Sequence, residues 1–158
     1  MMTTFYDSLK KKYRITLFFS VCLLIISIIF VSLFVHQKKI NQQNYQKIFY
    51  ATMANAASLV KQCSEDDYDY DTKYREITAE IDVCCQMAYL VDMSTERQKS
   101  LNRLYYGCIK LPNQIKLYIS DLSAALGKII NNEEDSGYEQ LLIIVDKFDE
   151  LDYGVSSN

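Results

Sequence analysis

The residues that decide the fold are ITLFFSVCLLIISIIFVSLFV, residues 15–35. No charged residue, glycine or proline interrupts this stretch, and 16 of its 21 side chains belong to Ile, Leu, Val or Phe. A helix rises about 1.5 Å per residue, so the stretch is roughly 31 Å long as a helix, close to the ~30 Å hydrocarbon core of a bilayer. We therefore predict a transmembrane helix over residues 15–35.

A cleavable signal peptide is the main alternative for this segment. The apolar core of a signal peptide usually has about 7 to 15 residues, and a site with two small residues follows it closely. Here the apolar core is longer, and the nearest such site, Ala54 and Ala56, begins 19 residues beyond Val35. We therefore predict that the helix is an uncleaved signal anchor.

The distribution of basic residues predicts the orientation, because cytoplasmic flanks of membrane helices are enriched in Lys and Arg. The nearest basic residues are Lys10, Lys11, Lys12 and Arg14 before the span and Lys38, Lys39 and Lys47 after it. We expect residues 1–14 to be cytoplasmic, residues 36–152 to form an extracytoplasmic domain at the cell membrane, and residues 153–158 to be a disordered tail.

The part of the chain beyond the span is acidic. Residues 36–158 carry 13 basic and 19 acidic side chains, a net charge of −6, whereas residues 1–35 have a net charge of +3. Nucleic-acid binding depends on basic side chains that displace counterions from phosphates. The charge therefore argues against nucleic acid as a partner.

After the span, apolar residues recur at steps of three and four, the spacing of one face of a helix. This pattern predicts amphipathic helices at about residues 38–62, 72–92, 95–129 and 136–152. No glycine or proline separates the first of them from the span, so we expect one continuous helix there. Its predicted apolar stripe consists of Tyr45, Ile48, Thr52, Ala56, Leu59 and Cys63.

The third predicted helix has the most regular stripe, from Leu101 to Ile129, and Ser94 is its expected N-cap. Pro112 lies inside it, so we expect a kink or two abutting helices there. Ser136 and Glu139 are spaced as a capping box for the last helix. Four amphipathic helices with short connections bury their stripes most simply in an antiparallel four-helix bundle, so the predicted fold class is all-α.

Four cysteines lie beyond the span. They are Cys63, Cys84, Cys85 and Cys108. Three of them fall on the apolar stripes, so we favour small buried thiols. One or two interhelical disulfides are the alternative in an oxidising compartment. A metal site is disfavoured because two adjacent cysteines lack the CxxC spacing of metal ligands.

Thirteen tyrosines are many for a chain of this length. A tyrosine that faces outward offers a protein partner a large rigid surface and one hydroxyl group. The candidates for partner binding are Tyr68, Tyr70, Tyr74, Tyr105 and Tyr106. Ordinary packing between helices is the alternative role for them.

No residue pattern predicts catalysis. The one histidine, His36, adjoins the span without a patterned acid or nucleophile around it. Asp67, Asp69 and Asp71 alternate like the opening of a calcium loop, but Thr72 stands where that loop requires glycine. We therefore expect no enzyme activity, no catalytic residue, no metal and no cofactor, and an acidic solvated connection at residues 64–71.

Three stretches resemble the N-terminal region of the YpeB family of sporulation and germination proteins. They are NYQK at residues 44–47, ISDL at residues 119–122, and residues 133–142, in which Tyr138 opens the last helix. The resemblance covers roughly residues 10–152 and implies a cytoplasmic N-terminus, one span and a helical outer domain. The Leu111-Pro112 pair does not fall where the family has its Leu-Pro element, and the family's C-terminal PepSY domains are not found in the sequence.

These features together predict a membrane-anchored, non-enzymatic helical protein that binds or scaffolds another envelope protein, in the context of sporulation or germination. The alternative is a sensory domain for a small ligand, because helical bundles beside a membrane serve that role. Such a sensor would need a partner subunit to transmit its signal.

Overall fold

The computed structural model describes the backbone of residues 2–65 and 69–155 and the side chains of residues 10–65 and 69–148. Within these ranges the chain is all-helical, which confirms the predicted class. The six helices are α1 (Met2–Glu65), α2 (Tyr70–Ala88), α3 (Thr95–Lys110), α4 (Pro112–Leu117), α5 (Ile119–Ile130) and α6 (Glu134–Val155). The chain divides into two units, one up to Asn41 and one from Gln42 onward.

The first unit consists of the N-terminal part of α1. All 16 Ile, Leu, Val and Phe side chains of residues 15–35 are exposed. Among the described residues, α1 is the one helix that is long and apolar enough to cross a membrane. The Thr16 hydroxyl donates to the Lys12 carbonyl oxygen at 3.1 Å, so this polar group is satisfied within the helix.

The second unit is built around one hydrophobic core. Its largest fully buried side chains come from the end of α1 and from α2 to α6: Phe49, Met53, Ile77, Ile81, Leu101, Leu104, Ile115, Leu122, Leu126, Ile129, Leu141 and Phe148. On α1 the predicted stripe is confirmed at Thr52, Ala56 and Cys63, which are buried, and is wrong at Ile48, which is exposed. The buried face also includes Phe49 and Met53, which lie one position beyond predicted members.

The third predicted helix is divided into α3, α4 and α5. The predicted break at proline is confirmed, since α3 ends at Lys110 and Pro112 occupies the first turn of α4, where its missing N–H costs no hydrogen bond. A second, unpredicted break lies at Tyr118, whose φ of −106° and ψ of 15° are not helical.

Helices α3 and α5 run in opposite directions. Arg97 and Arg103 of α3 pair with Asp135 and Asp146 of α6 in the same chain order, so α3 and α6 are parallel. A short turn joins α5 to α6, and these two helices are antiparallel. The stripe that predicted one long helix therefore belongs to two helices, and α4 makes the reversal between them. The predicted count of four outer helices is not confirmed, because the second unit contains the end of α1 and five further helices.

The predicted N-terminal cap of α3 is confirmed, whereas the predicted cap of α6 is wrong. Ser94 caps α3, and its Oγ accepts from the Arg97 backbone N–H at 3.4 Å. The predicted capping box of Ser136 and Glu139 is wrong, because α6 begins two residues before Ser136 and its first turn closes by a bond from the Gly137 N–H to the Glu133 oxygen (2.9 Å). Helix α6 extends to residue 155, and residues 156–158 lie outside the described part.

Candidate partner-binding surface

The structure separates the five tyrosines that the sequence proposed for partner binding. Tyr68 lies outside the described residues. Tyr70 and Tyr74 are half-buried and stacked, with ring centroids 5.5 Å apart, and the Lys116 ammonium lies 4.6 Å from the centre of the Tyr70 ring. The Tyr74 hydroxyl donates to the Cys108 carbonyl oxygen at 2.6 Å, and burial raises the pKa of Tyr74. These two rings therefore hold α2 against α3 and α4.

Tyr105 and Tyr106 are adjacent on α3 and have different surroundings. Tyr105 is half-buried; desolvation, the Asp82 charge and a hydrogen bond to Asp82 raise its pKa. Tyr105 therefore links α3 to α2. Tyr106 is 50% exposed and is the one described member of the proposed set that stays open to a partner.

Tyr106 belongs to a larger exposed apolar surface, which we call the α2–α3 face. Its members are Val83 of α2 and Tyr106 and Ile109 of α3. Tyr106 and Ile109 are three residues apart and project from one side of α3. Tyr105 is hydrogen-bonded to Asp82, so the residues that follow these two, Tyr106 and Val83, lie at the same level of the α2–α3 pair. Sequence analysis identified only Tyr106. The other two side chains, Val83 and Ile109, are apolar and lie off the predicted stripes, which is the pattern that could have indicated them.

Basic side chains accompany this face. Lys99, Tyr106 and Lys110 lie at spacings of seven and four on α3, so they share one side of the helix, and both lysines are exposed. The other two basic residues of α3 form ion pairs with α6, Arg97 with Asp135 and Arg103 with Asp146. The α3 edge of this face therefore suits carboxylates of a partner, whereas Glu76 and Glu80, seven and three residues before Val83, make the α2 edge acidic.

A second polar site surrounds Arg97 at the beginning of α3. The Arg97 guanidinium donates to Glu134 Oε2 and Asp135 Oδ1, each at 2.6 Å, and lies 5.0 Å from the centre of the Tyr138 ring. The Tyr50 hydroxyl of α1 donates to the Glu134 carboxylate. Burial and this bond raise the pKa of Tyr50 to about 12. The network joins α1, α3 and α6, and its partners are too far apart in sequence for a spacing pattern to reveal them.

An open cleft of about 460 Å³ adjoins this network. Its lining residues are Ser94, Glu96, Arg97, Ser100, Asp135, Tyr138, Glu139 and Leu142. The cleft brings one guanidinium together with three carboxylates. Because Arg97 is already paired with Glu134 and Asp135, the excess of carboxylates suits the ammonium group of a small ligand.

The four cysteines that follow residue 35, Cys63, Cys84, Cys85 and Cys108, are all buried. Cys84, Cys85 and Cys108 are free thiols in this structure, and burial raises the pKa of each to about 12. Such thiols are poor nucleophiles at neutral pH. An interhelical disulfide stays a prediction. Among the described side chains, no group of three His, Cys, Asp or Glu residues is arranged to hold a metal ion.

The buried thiols predict a loss of stability at alkaline pH. Their pKa rises from 9.0 in the unfolded chain to about 12 in the folded chain, so the stabilisation is complete below pH 9 and is lost as the pH rises towards 12. Each thiol that is ionised only in the unfolded chain lowers the free energy of unfolding by about 1.4 kcal/mol per pH unit. Chemical unfolding between pH 9 and 11 measures this effect. The free energy of unfolding of Cys85→Ala should fall less steeply with pH than that of the unsubstituted protein, by about 1.4 kcal/mol per pH unit. An unchanged slope would contradict the shifted pKa of Cys85.

No family model, curated protein or solved structure matches this chain. The resemblance to the YpeB family stays a prediction. The function is therefore argued from the geometry and chemistry of the two surfaces above.

Proposed function

We propose that this protein is a single-pass membrane protein whose outer helical bundle binds another envelope protein through the α2–α3 face. The observation that carries the proposal is the group of exposed apolar side chains on that face, which includes Tyr106 and Ile109 and is flanked by Lys99 and Lys110. Large apolar side chains gathered on one exposed face are typical of protein interaction sites.

The exposed apolar run at residues 15–35 supports the proposed membrane anchor. Burying one large apolar side chain contributes about 1.5–3 kcal/mol, so exposure of all 16 to water would cost on the order of 20 kcal/mol or more. A bilayer removes that cost. The basic residues at positions 10–14 support a cytoplasmic N-terminus and an extracytoplasmic bundle.

The interaction itself is expected to be non-enzymatic. An aromatic anchor such as Tyr106 typically dominates the binding energy of an interface, and surrounding charges set orientation and association rate. The resemblance to the YpeB family supplies sporulation or germination as the biological context of the proposal.

Site-specific photocrosslinking in native membranes tests the proposed partner. A benzophenone amino acid at position 106 of the full chain should yield a crosslinked product with one envelope protein. The same group at position 117 on α4 is the control, because Leu117 is 77% exposed but lies outside the α2–α3 face. Lys110→Glu should reduce the product at position 106. Equal products at both positions, or none above background, would contradict the proposal.

A second candidate function is sensing of a small ligand that carries an ammonium group, and the cleft beside Arg97 favours it. Thermal unfolding of the full chain with small primary amines, free amino acids among them, should then show stabilisation by at least one of them. Glu139→Gln should reduce the shift, because the neutral amide removes one of the carboxylates that attract the ammonium group. Glu76→Gln is the matched control, since Glu76 is also exposed but does not line the cleft. If no amine raises the unfolding temperature, this candidate is eliminated.

A further inference from the structure

The turn that follows α2 exposes two apolar side chains. Tyr89 is 64% exposed and Leu90 is 47% exposed, and they are consecutive in the turn that joins α2 to α3. Asn102 Nδ2 donates to the Tyr89 hydroxyl oxygen at 2.8 Å, so the polar end of this ring is held against α3. The ring and the adjacent leucine form the apolar tip of the turn.

Gln42 of α1 holds this turn. In the orientation that satisfies both neighbours, the Gln42 side-chain nitrogen donates to the Leu90 carbonyl oxygen at 3.2 Å, and its oxygen accepts from the Asp92 N–H at 2.8 Å. The apolar tip is therefore fixed to the first residue of the second unit. The other end of α1, at Glu65, lies 23 residues further along the chain.

The position of Gln42 in the chain limits its distance from the proposed span. Seven residues separate it from Val35, the last residue of the apolar run. Seven residues cover about 10 Å as a helix and at most about 25 Å when fully extended. Lys38 and Lys39 lie in this short segment and suit the phosphate groups at a bilayer surface.

We propose that the α2–α3 turn inserts Tyr89 and Leu90 into the interfacial region of the bilayer. Tyrosine is enriched at membrane interfaces because its ring is apolar and its hydroxyl is polar. The adjacent leucine adds apolar area that the acyl boundary can cover, while the exposed Asp92 faces the aqueous headgroup layer. This inference rests on the proposed span, and it adds a second contact of the outer unit with the lipid surface.

The chain contains no tryptophan, which allows a direct test. Tyr89→Trp and Leu90→Trp each introduce a single tryptophan into the full chain, reconstituted in phosphatidylcholine vesicles. With lipids brominated near the top of the acyl chains, both variants should show blue-shifted and strongly quenched emission. Leu117→Trp is the control and should be unquenched, because it lies on α4, beyond the far end of α3. Retained unfolding midpoints confirm that the variants fold.

Phe30→Trp, inside the apolar run, distinguishes failure of the proposed span from failure of the proposed insertion of the turn. Quenching of this variant by lipids brominated deep in the acyl chains reports the span itself. If Phe30→Trp is quenched and neither turn variant is, the turn inference is overturned and the span stands. Equal quenching of the turn variants and Leu117→Trp also overturns the inference, because it shows no specific contact of the turn. If Phe30→Trp is not quenched, the span and the inference fall together.

Discussion

Phe49→Ala is expected to lower the free energy of unfolding of the second unit by about 3–5 kcal/mol. The Phe49 side chain is only 1% exposed and lies in the part of α1 that contributes to the core. Its truncation loses the transfer free energy of the ring and leaves a cavity that neighbouring helices only partly fill. The ring also loses its edge contact with Tyr50, in which the centroids are 5.3 Å apart.

Ile48→Ala is the matched control for this prediction. Ile48 precedes Phe49 on α1 but is 49% exposed, so its truncation should cost less than about 1 kcal/mol. Urea unfolding of the full chain in detergent, followed by circular dichroism, measures both variants. Equal losses would show that the end of α1 does not pack in the core as described.

Gly137→Ala is expected to destabilise the α5–α6 hairpin by about 1–3 kcal/mol. A Cβ atom at position 137 would lie 2.6 Å from Ile129 Cγ1, 2.8 Å from the Ile129 nitrogen and 2.9 Å from the Ala125 oxygen. Two of these three atoms belong to the backbone of α5, which cannot move aside as a flexible side chain does. The added methyl group must therefore push the two helices apart.

Gly127→Ala is the control, because no atom lies within 4 Å of the Cβ position at this site on α5. Alanine should stabilise the helix there by about 0.5–1 kcal/mol through the lower entropy of the unfolded chain. The same substitution is therefore expected to have opposite signs ten residues apart. A loss of stability in both variants would contradict the close approach assigned to Gly137.

The sequence pattern correctly predicted the buried face of several helices. It did not predict that the chain reverses direction between α3 and α5. Leu101 and Leu104 of α3 and Leu122 and Ile129 of α5 are buried as their spacing predicted. The same spacing continues across α4, so the pattern reads as one helix even though the chain reverses. Periodicity identifies a buried face, but it does not report direction, because two antiparallel helices facing one core have the same pattern as one long helix.

The sequence predicted that tyrosines contribute to the candidate partner-binding surface, but it did not predict which of them are exposed. Tyrosines are suited to interfaces, and Tyr106 is exposed, but Tyr74 is used to join α2 to α3 because its hydroxyl reaches the Cys108 carbonyl. The pairing of Arg97 with Glu134 joins residues 37 positions apart. Such contacts depend on the packing of helices that only the assembled fold brings together.

The parallel packing of α3 and α6 implies an order of folding for the second unit. Short turns join α2 to α3 and α5 to α6, so each of these hairpins closes over a small loop and loses little chain entropy. The ion pair of Arg103 with Asp146 closes a separation of 43 residues, which requires α4 to have reversed the chain first. Local hairpins are therefore expected to form early, and docking of one hairpin on the other completes the transition. Substitutions at the α3–α6 interface should mainly accelerate unfolding, whereas those within a hairpin should slow folding.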